Sequence, residues 1–142
     1  MALVVRRTSS TSTALQQEHY SDFLDGFDID VVKKDLFKNT NEEAVKASIR
    51  NLLLTNKGER LYDSGIGSNI RSILFENFTP SMESVLADLV RTTIENHEPR
   101  ARLINVHVDS SVDDHYVAVT IIFAVINKEE PITFELILNR IR

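Results

Sequence analysis

The segment from Tyr116 to Ile126, YVAVTIIFAVI, constrains the fold more than any other part of the chain. Successive side chains of a strand point to opposite faces, and a solvated face normally carries polar residues. Here both faces are mostly apolar: Val117, Val119, Ile121, Phe123 and Val125 on one, and Ala118, Ile122, Ala124 and Ile126 on the other. The pattern predicts a strand covered on both sides. Cover by another chain and cover by the chain's own N-terminal arm are both open.

Two further strand patterns flank this segment, RLINVHV at 102–108 and ITFELIL at 132–138. In the first, alternation predicts that Ile104, Val106 and Val108 face the core. The intervening runs, DSSVDDH and NKEEP, have turn compositions. Short connections of this kind favour a three-stranded antiparallel meander.

Helical patterns precede the strands. The clearest begins with Thr79 as a candidate cap and Pro80 at the first helical position, and it ends around His97 because Pro99 biases Glu98 away from helical dihedrals. Its apolar residues keep the spacing of one helix face: Met82, Val85, Leu86, Leu89, Val90 and Ile94.

Two more helices are predicted upstream. The first begins at Thr40 or Asn41, ends at Gly58, and buries Val45, Ile49, Leu52 and Leu53. A short helix capped by Ser68 carries Ile70, Ile73, Leu74 and Phe75. With residues 20–39 as an extended arm of short strand or turn pieces, the fold class is α+β: arm, two main helices plus a short helix, then the meander.

Composition excludes several functions. The 142 residues carry a formal charge of −5 without a basic run, which disfavours direct nucleic-acid binding. The chain has no cysteine, so thiolate metal sites and cysteine nucleophiles are excluded. No apolar run approaches the roughly 20 residues that cross a bilayer. The four histidines lack metal-ligand spacing, and the glycine loops match no phosphate-binding motif. We therefore predict no cofactor, no metal and no membrane partner.

Catalysis has no clear candidate. Asp113, Asp114 and His115 resemble acid/base groups, but they fall in a predicted hairpin turn, where such residues are ordinary. A glycosidase needs two carboxylates at a defined separation, and 21 acidic residues make such a pair easy to invent. We predict a protein that is not an enzyme, with no catalytic residues.

The motifs YSDF, EEAVKASIRNLLLTNKGERLYDSGIGSNIRSILFEN and HEPR follow one another along the chain. In this order they resemble the baseplate wedge and sheath-initiator family of contractile phage tails, which includes the corresponding subunit of bacterial type VI secretion systems. The resemblance covers about residues 19–140, and we take residues 19–142 as the wedge sheath-initiator domain. It leaves 1–18 as a basic, Ser/Thr-rich extension, for which a flexible tail and ordering by a partner are both open.

The resemblance implies a structural protein of the virion tail baseplate, assembled in the host cytoplasm. Its partners would be other baseplate wedge proteins and the tail sheath protein, with tail tube or hub-proximal proteins as further candidates. In this family the motif matched by Glu98, Pro99 and Arg100 engages the helical core bundle of the wedge. Arg100 would pair with a carboxylate, and Glu98 would accept from backbone amides or a cation. On sequence alone, a solvent-exposed ion pair at a helix end is the alternative.

The family also starts the sheath by strand exchange on its sheet. By analogy we assign this role to the last strand, through Ile132, Phe134, Leu136, Ile137 and Leu138. Two alternatives remain: the same role in a type VI secretion baseplate, and a lysozyme-like peptidoglycan hydrolase.

Overall fold

The computed structural model describes residues 20–24, 26–76, 79–111, 116–126, 128 and 130–139. Three helices are present there: α1 (Glu42–Leu54), α2 (Ile70–Leu74) and α3 (Pro80–His97). Seven strands accompany them: β1 (Ser21–Phe23), β2 (Ile29–Asp30), β3 (Asp35–Leu36), β4 (Lys38–Thr40), β5 (Ala101–Ser111), β6 (Tyr116–Val125) and β7 (Ile132–Asn139). The α+β class is confirmed. The predicted extension 1–18, His19 and the turn residues 113–115 lie outside the described residues.

The arm consists of two small antiparallel pairs, β1 with β4 and β2 with β3. It leads directly into α1 at Asn41, whose amide donates to the carbonyl of Tyr20 at 2.8 Å. The start of the arm is thereby fixed beside the start of α1. This confirms the predicted arm of short strand pieces.

The main sheet is the predicted antiparallel meander, in the order β5-β6-β7, so β5 and β7 are its edges. Its first face packs against the helices. All five first-face residues of β6 are buried, and Phe123, Ile121 and Val119 are 0% exposed. They share one core with Val45 and Ile49 of α1 and with residues of α3: Leu86, Val90 and Ile94.

The second face of the sheet is less completely covered. Ala124 is buried, whereas Ile126 is 62% exposed and Ile137 of β7 is 59% exposed. The neighbouring strands contribute polar residues here, because Thr120 of β6 pairs with His107 on one side and with Glu135 on the other. The described residues therefore do not supply the full second cover that the β6 pattern predicts.

The predicted placement of Ile104 in the core is wrong. Val106 and Val108 are buried, but Ile104 is 52% exposed. The register of β5 against β6 shifts between Leu103 and Asn105, so Ile104 is an extra residue on its strand. Such a bulge interrupts the alternation of faces, and simple period-two counting fails at that point.

The helix ends differ in detail from the predictions. Thr79 and Asn41 occupy the N-cap positions of α3 and α1, but neither side chain caps the helix amides. Helix α1 ends at Leu54, before the predicted stop at Gly58. The N-cap position of α2 is Asn69 and not Ser68, although the Ser68 hydroxyl accepts from the amide of Ile70 at 3.4 Å. The predicted end of α3 at His97 is confirmed.

Ser68 instead ties the loop 55–69 to α1. Its buried hydroxyl donates to the carbonyl of Leu53 at 2.6 Å, and its amide donates to the carbonyl of Thr55 at 2.8 Å. Gly58 forms a turn within the same loop, with φ of 85° and its amide donating to the carbonyl of Ser64 at 2.9 Å. These bonds close the loop at its base.

Candidate functional site

Glu98, Pro99 and Arg100 form a corner between α3 and β5, and we call these three residues the docking corner. The amide of Glu98 donates to the carbonyl of Ile94 at 2.8 Å, which completes the last turn of α3. The carbonyl of Arg100 accepts from the amide of Ile126 at 3.1 Å. Backbone hydrogen bonds therefore fix the corner both to the helix before it and to the sheet after it.

Glu98 lies inside the corner, with only 3% of its side chain exposed. Arg100 donates through Nε to Oε1 of Glu98 at 2.6 Å and through Nη2 to Oε2 at 2.8 Å. The hydroxyl of Ser48 on α1 donates to the same Oε2. Both carboxylate oxygens are thus occupied from within the chain. The alternative interpretation of the motif as an ion pair is therefore correct about the pairing, but it is wrong about the solvent exposure of Glu98.

Arg100 is the more accessible member of the pair, with 30% of its side chain exposed. Its Cζ atom lies 5.6 Å from the centroid of the Tyr20 ring, within the range of a cation–π contact. Tyr20 is held in turn by its backbone bond to Asn41. Residues from the arm, from α1 and from the end of α3 thus converge on the Glu98–Arg100 pair: Tyr20 contacts Arg100, and Ser48 contacts Glu98.

The electrostatics of the corner keep the pair ionised. Burial favours the neutral form of Glu98, but the hydrogen bonds from Arg100 and Ser48 outweigh it, and the pKa of Glu98 is lowered from its ordinary 4.5. The hydrogen bond to Glu98 raises the pKa of Arg100. At neutral pH the corner therefore contains a carboxylate and a guanidinium whose charges cancel.

A cleft of about 400 Å³ opens beside the corner. Apolar residues, Pro99, Leu103 and Ile126, and charged residues, Glu95 and Arg102, line it together. Protein contact sites commonly combine apolar and charged groups in this way.

The five residues predicted for strand exchange divide between two environments. Ile132, Leu136 and Leu138 are buried in the core at 9%, 8% and 7% exposure, and Phe134 is half-buried. Ile137 points to the second face and is exposed. Because β7 is an edge strand, its accessible feature is one row of backbone amides and carbonyls rather than these side chains.

Sequence reasoning missed an apolar groove of about 360 Å³ beside the end of β7. Leu54, Leu74 and Phe75 line one side, and Ile137 lines the other. These residues come from α1, α2 and β7, which only the tertiary fold brings together. The exposed Phe75, which sequence reasoning placed on the short helix, was the available signal.

The loop 55–69 is a second feature that sequence reasoning missed. Leu61 and Tyr62 at its tip are 96% and 103% exposed. The available signal was an apolar pair between charged neighbours in a glycine-bounded loop.

The described residues contain no cluster of three or more histidine, cysteine or acidic side chains that would hold a metal ion. His107 lies 3.2 Å from Asp109, and the His97 ring nitrogen lies 3.0 Å from the carbonyl of Thr93. Both are ordinary pairings. No helix in these same ranges has the length and hydropathy needed to cross a bilayer.

An α+β domain with a rigid charged corner, a contact cleft and an open sheet edge defines a class of protein that works by contacting other chains. Residues 39–130 match the model of the family "Baseplate wedge protein gp25". The baseplate wedge protein gp25 of Enterobacteria phage T4 is 30% identical over 99 residues, which are 70% of this chain and 75% of that protein. The chain belongs to the baseplate wedge protein gp25 family.

Solved structures share the fold. A putative tail lysozyme from Geobacter sulfurreducens superposes with a TM-score of 0.66 at 20% identity, covering 71% of this chain and 92% of that one. A chain of the anti-feeding prophage baseplate gives a TM-score of 0.60 at 19% identity, with 87% of each chain covered. The resemblance deduced from the motifs is confirmed, and the relatives found include components of tail baseplates.

Proposed function

We propose that this protein joins a baseplate wedge to the first ring of tail sheath. The docking corner binds the helical core of the wedge, and the edge of β7 receives strands from the sheath. The observation that carries the proposal is the docking corner, where three segments of the chain hold one partly exposed arginine in a fixed position.

The internal pairing of Glu98 decides how the docking corner is tested. Replacing Arg100 alone would leave the carboxylate of Glu98 buried without its main partner and would weaken the fold. The double variant Glu98→Gln with Arg100→Met removes both charges together. It keeps an acceptor for the Ser48 hydroxyl and keeps an unbranched side chain near Tyr20.

We expect the double variant to fold and to bind the wedge poorly. The binding partner is a wedge complex prepared without this chain, and affinity is measured by titration. Loss of a central arginine contact should weaken binding about tenfold or more, while thermal unfolding stays close to that of the wild type. The matched control is Arg91→Met on the exposed side of α3. Equal binding by the wild type and both variants would show that the docking corner is not the binding site for the wedge.

The edge of β7 supports the sheath half of the proposal. A partner strand adds to a sheet through the backbone groups of an edge strand, and alternating side-chain pockets give specificity. The apolar groove lined by Leu54, Leu74 and Phe75 lies next to this edge and offers such a pocket. The core positions of Ile132, Leu136 and Leu138 hold β7 in register while its outer side remains available.

Hydrogen exchange tests the choice of edge. When sheath subunits are added to assembled baseplates, the outward amides of β7 should gain about tenfold or greater protection, because they acquire hydrogen-bond partners. The opposite edge, β5, is the internal control within the same molecule. Protection confined to β5 would show that the wrong strand has been chosen.

The two carboxyl groups with shifted pKa values, those of Asp35 and Glu98, lack the property of a glycosidase acid. A glycosidase acid requires a raised pKa, whereas hydrogen bonding by Lys38 lowers the pKa of Asp35 and the net shift at Glu98 is also downward. The Geobacter neighbour described as a putative tail lysozyme motivates a direct test. Purified protein should release no soluble fragments from peptidoglycan, and turnover would reverse this part of the proposal.

For the biological setting we favour a phage tail over a type VI secretion system, since the curated relative at 30% identity is a phage protein. Neighbouring genes distinguish the two. Genes for a capsid and a terminase would support the phage, and genes for a membrane-anchored secretion complex would contradict it.

A further inference from the structure

We propose that Arg100 receives a neutral acceptor from its partner, namely the free backbone carbonyls at the C-terminal end of a helix. This inference rests on the proposed docking of the wedge core at the docking corner, and it names the chemical group that is bound there. It replaces the carboxylate that the sequence suggested as the partner of Arg100.

The donors of Arg100 are only partly used. A guanidinium carries five N–H donors, and two of them engage Glu98 through Nε and Nη2. Hydrogen bonds from Nη1 to other described residues are absent, while 30% of the side chain reaches solvent. Arg100 therefore retains donors for an additional acceptor without releasing Glu98.

The charge of the docking corner selects the kind of acceptor. Glu98 already pairs with Arg100 and takes the Ser48 hydroxyl at Oε2, and the carboxylate of Asp22 also acts on the guanidinium. A partner carboxylate would add a further negative charge in a contact from which water is excluded. An uncompensated charge in such a place is costly. A carbonyl oxygen adds no net charge to the contact.

Helix C-termini present suitable carbonyls. The last four carbonyl groups of an α-helix have no partner within the helix, and they carry the negative end of its dipole. A guanidinium held at that end satisfies these acceptors. The adjoining cleft, which Pro99, Leu103 and Ile126 help to line, can take an apolar side chain from the same last turn. The proposed occupant is therefore the C-terminal turn of a wedge-core helix bearing one apolar residue.

Tyr20 and Ser48 act as positioning residues in this arrangement. The Tyr20 ring lies 5.6 Å from the guanidinium carbon, and Ser48 holds the carboxylate that orients it. The guanidinium plane is thereby set before the partner arrives, which reduces the ordering cost of binding. A lysine at position 100 would keep the charge, but it has no planar fork with donors left on a second edge.

The test combines binding with direct observation. The wedge complex lacking this chain is the probe, and Arg100→Lys is expected to bind it about tenfold more weakly. Lysine keeps a cationic partner for Glu98 but not its two hydrogen bonds, so the variant should unfold at a lower temperature than the wild type and still be folded at the temperature of the titration. Tyr20→Leu should weaken binding as well, and Tyr20→Phe should restore it because the ring is kept. Wild-type affinity for Arg100→Lys would show that charge alone suffices and would overturn the inference.

Cryo-electron microscopy of the baseplate at side-chain resolution then identifies the acceptor. A backbone carbonyl within about 3.5 Å of a free Arg100 nitrogen is the expected result. A partner aspartate or glutamate there would overturn the neutral acceptor and leave the proposed function intact. A docking corner that faces solvent in the assembly would overturn both.

Discussion

Replacing Gly67 by alanine is expected to destabilise the fold by about 3 kcal/mol. Gly67 has φ of 121°, a conformation that side chains rarely adopt, and an added Cβ would lie 2.6 Å from the carbonyl oxygen of Thr55. That oxygen accepts the amide of Ser68 and cannot move freely. Backbone strain and a steric clash therefore add together at this position.

Urea unfolding of the two glycine variants measures this effect. Gly58→Ala is the matched control, because Gly58 also has a positive φ, 85°, but nothing lies within 4 Å of the position of its added Cβ. It should lose only about 1 kcal/mol, the strain of the backbone alone. Equal losses in the two variants would mean that the close approach of Gly67 to Thr55 is unimportant.

Replacing Glu98 by alanine is expected to lower the free energy of unfolding by about 2 to 3 kcal/mol, because Arg100 and Ser48 lose their shared acceptor. This loss is at or below the smallest losses typical of removing one partner from a buried ion pair. The reason is that 30% of the Arg100 side chain is exposed and can be hydrated after the change. Glu95→Ala, on the exposed side of the same helix, is the control. A loss no larger than that of the control would contradict the structural role of the pair.

The same carboxylate predicts a pH dependence of stability. The folded protein holds the pKa of Glu98 below its ordinary 4.5, so between the two values the unfolded chain binds more protons. The contribution of Glu98 is complete above pH 4.5 and disappears as the pH falls through the folded pKa. Unfolding measured from neutral to acidic pH should show a smaller acid loss in Glu98→Gln than in the wild type.

Much of the fold follows from the sequence for local reasons. Pro80 and Pro99 set the limits of α3 through their own dihedral constraints, which act within one or two residues. The five first-face residues of β6 alternate strictly and are all buried. These features depend only on neighbours in the chain.

The predictions from sequence fail where contacts between distant parts of the chain determine the structure. The bulge at Ile104 depends on how β5 pairs with β6, and the exclusion of Glu98 from solvent depends on Ser48, fifty positions away. The sequence offered an ion pair of Glu98 and Arg100 as an alternative, but it could not tell that the carboxylate of this pair is buried. The groove beside β7 needs α1 and α2 to be placed against the strand.

The shared sheet has a mechanical consequence. The docking corner leads into β5, and β7 lies two strands away. If sheath strands attach at β7 as proposed above, their load must cross the β6–β7 ladder. That ladder pairs residues from Tyr116 with Asn139 to Phe123 with Ile132. A pull along the strand axis strains all these pairs at once, whereas a pull across it opens them one by one. We therefore expect the attachment to resist tension best along β7, which single-molecule pulling in the two directions would measure.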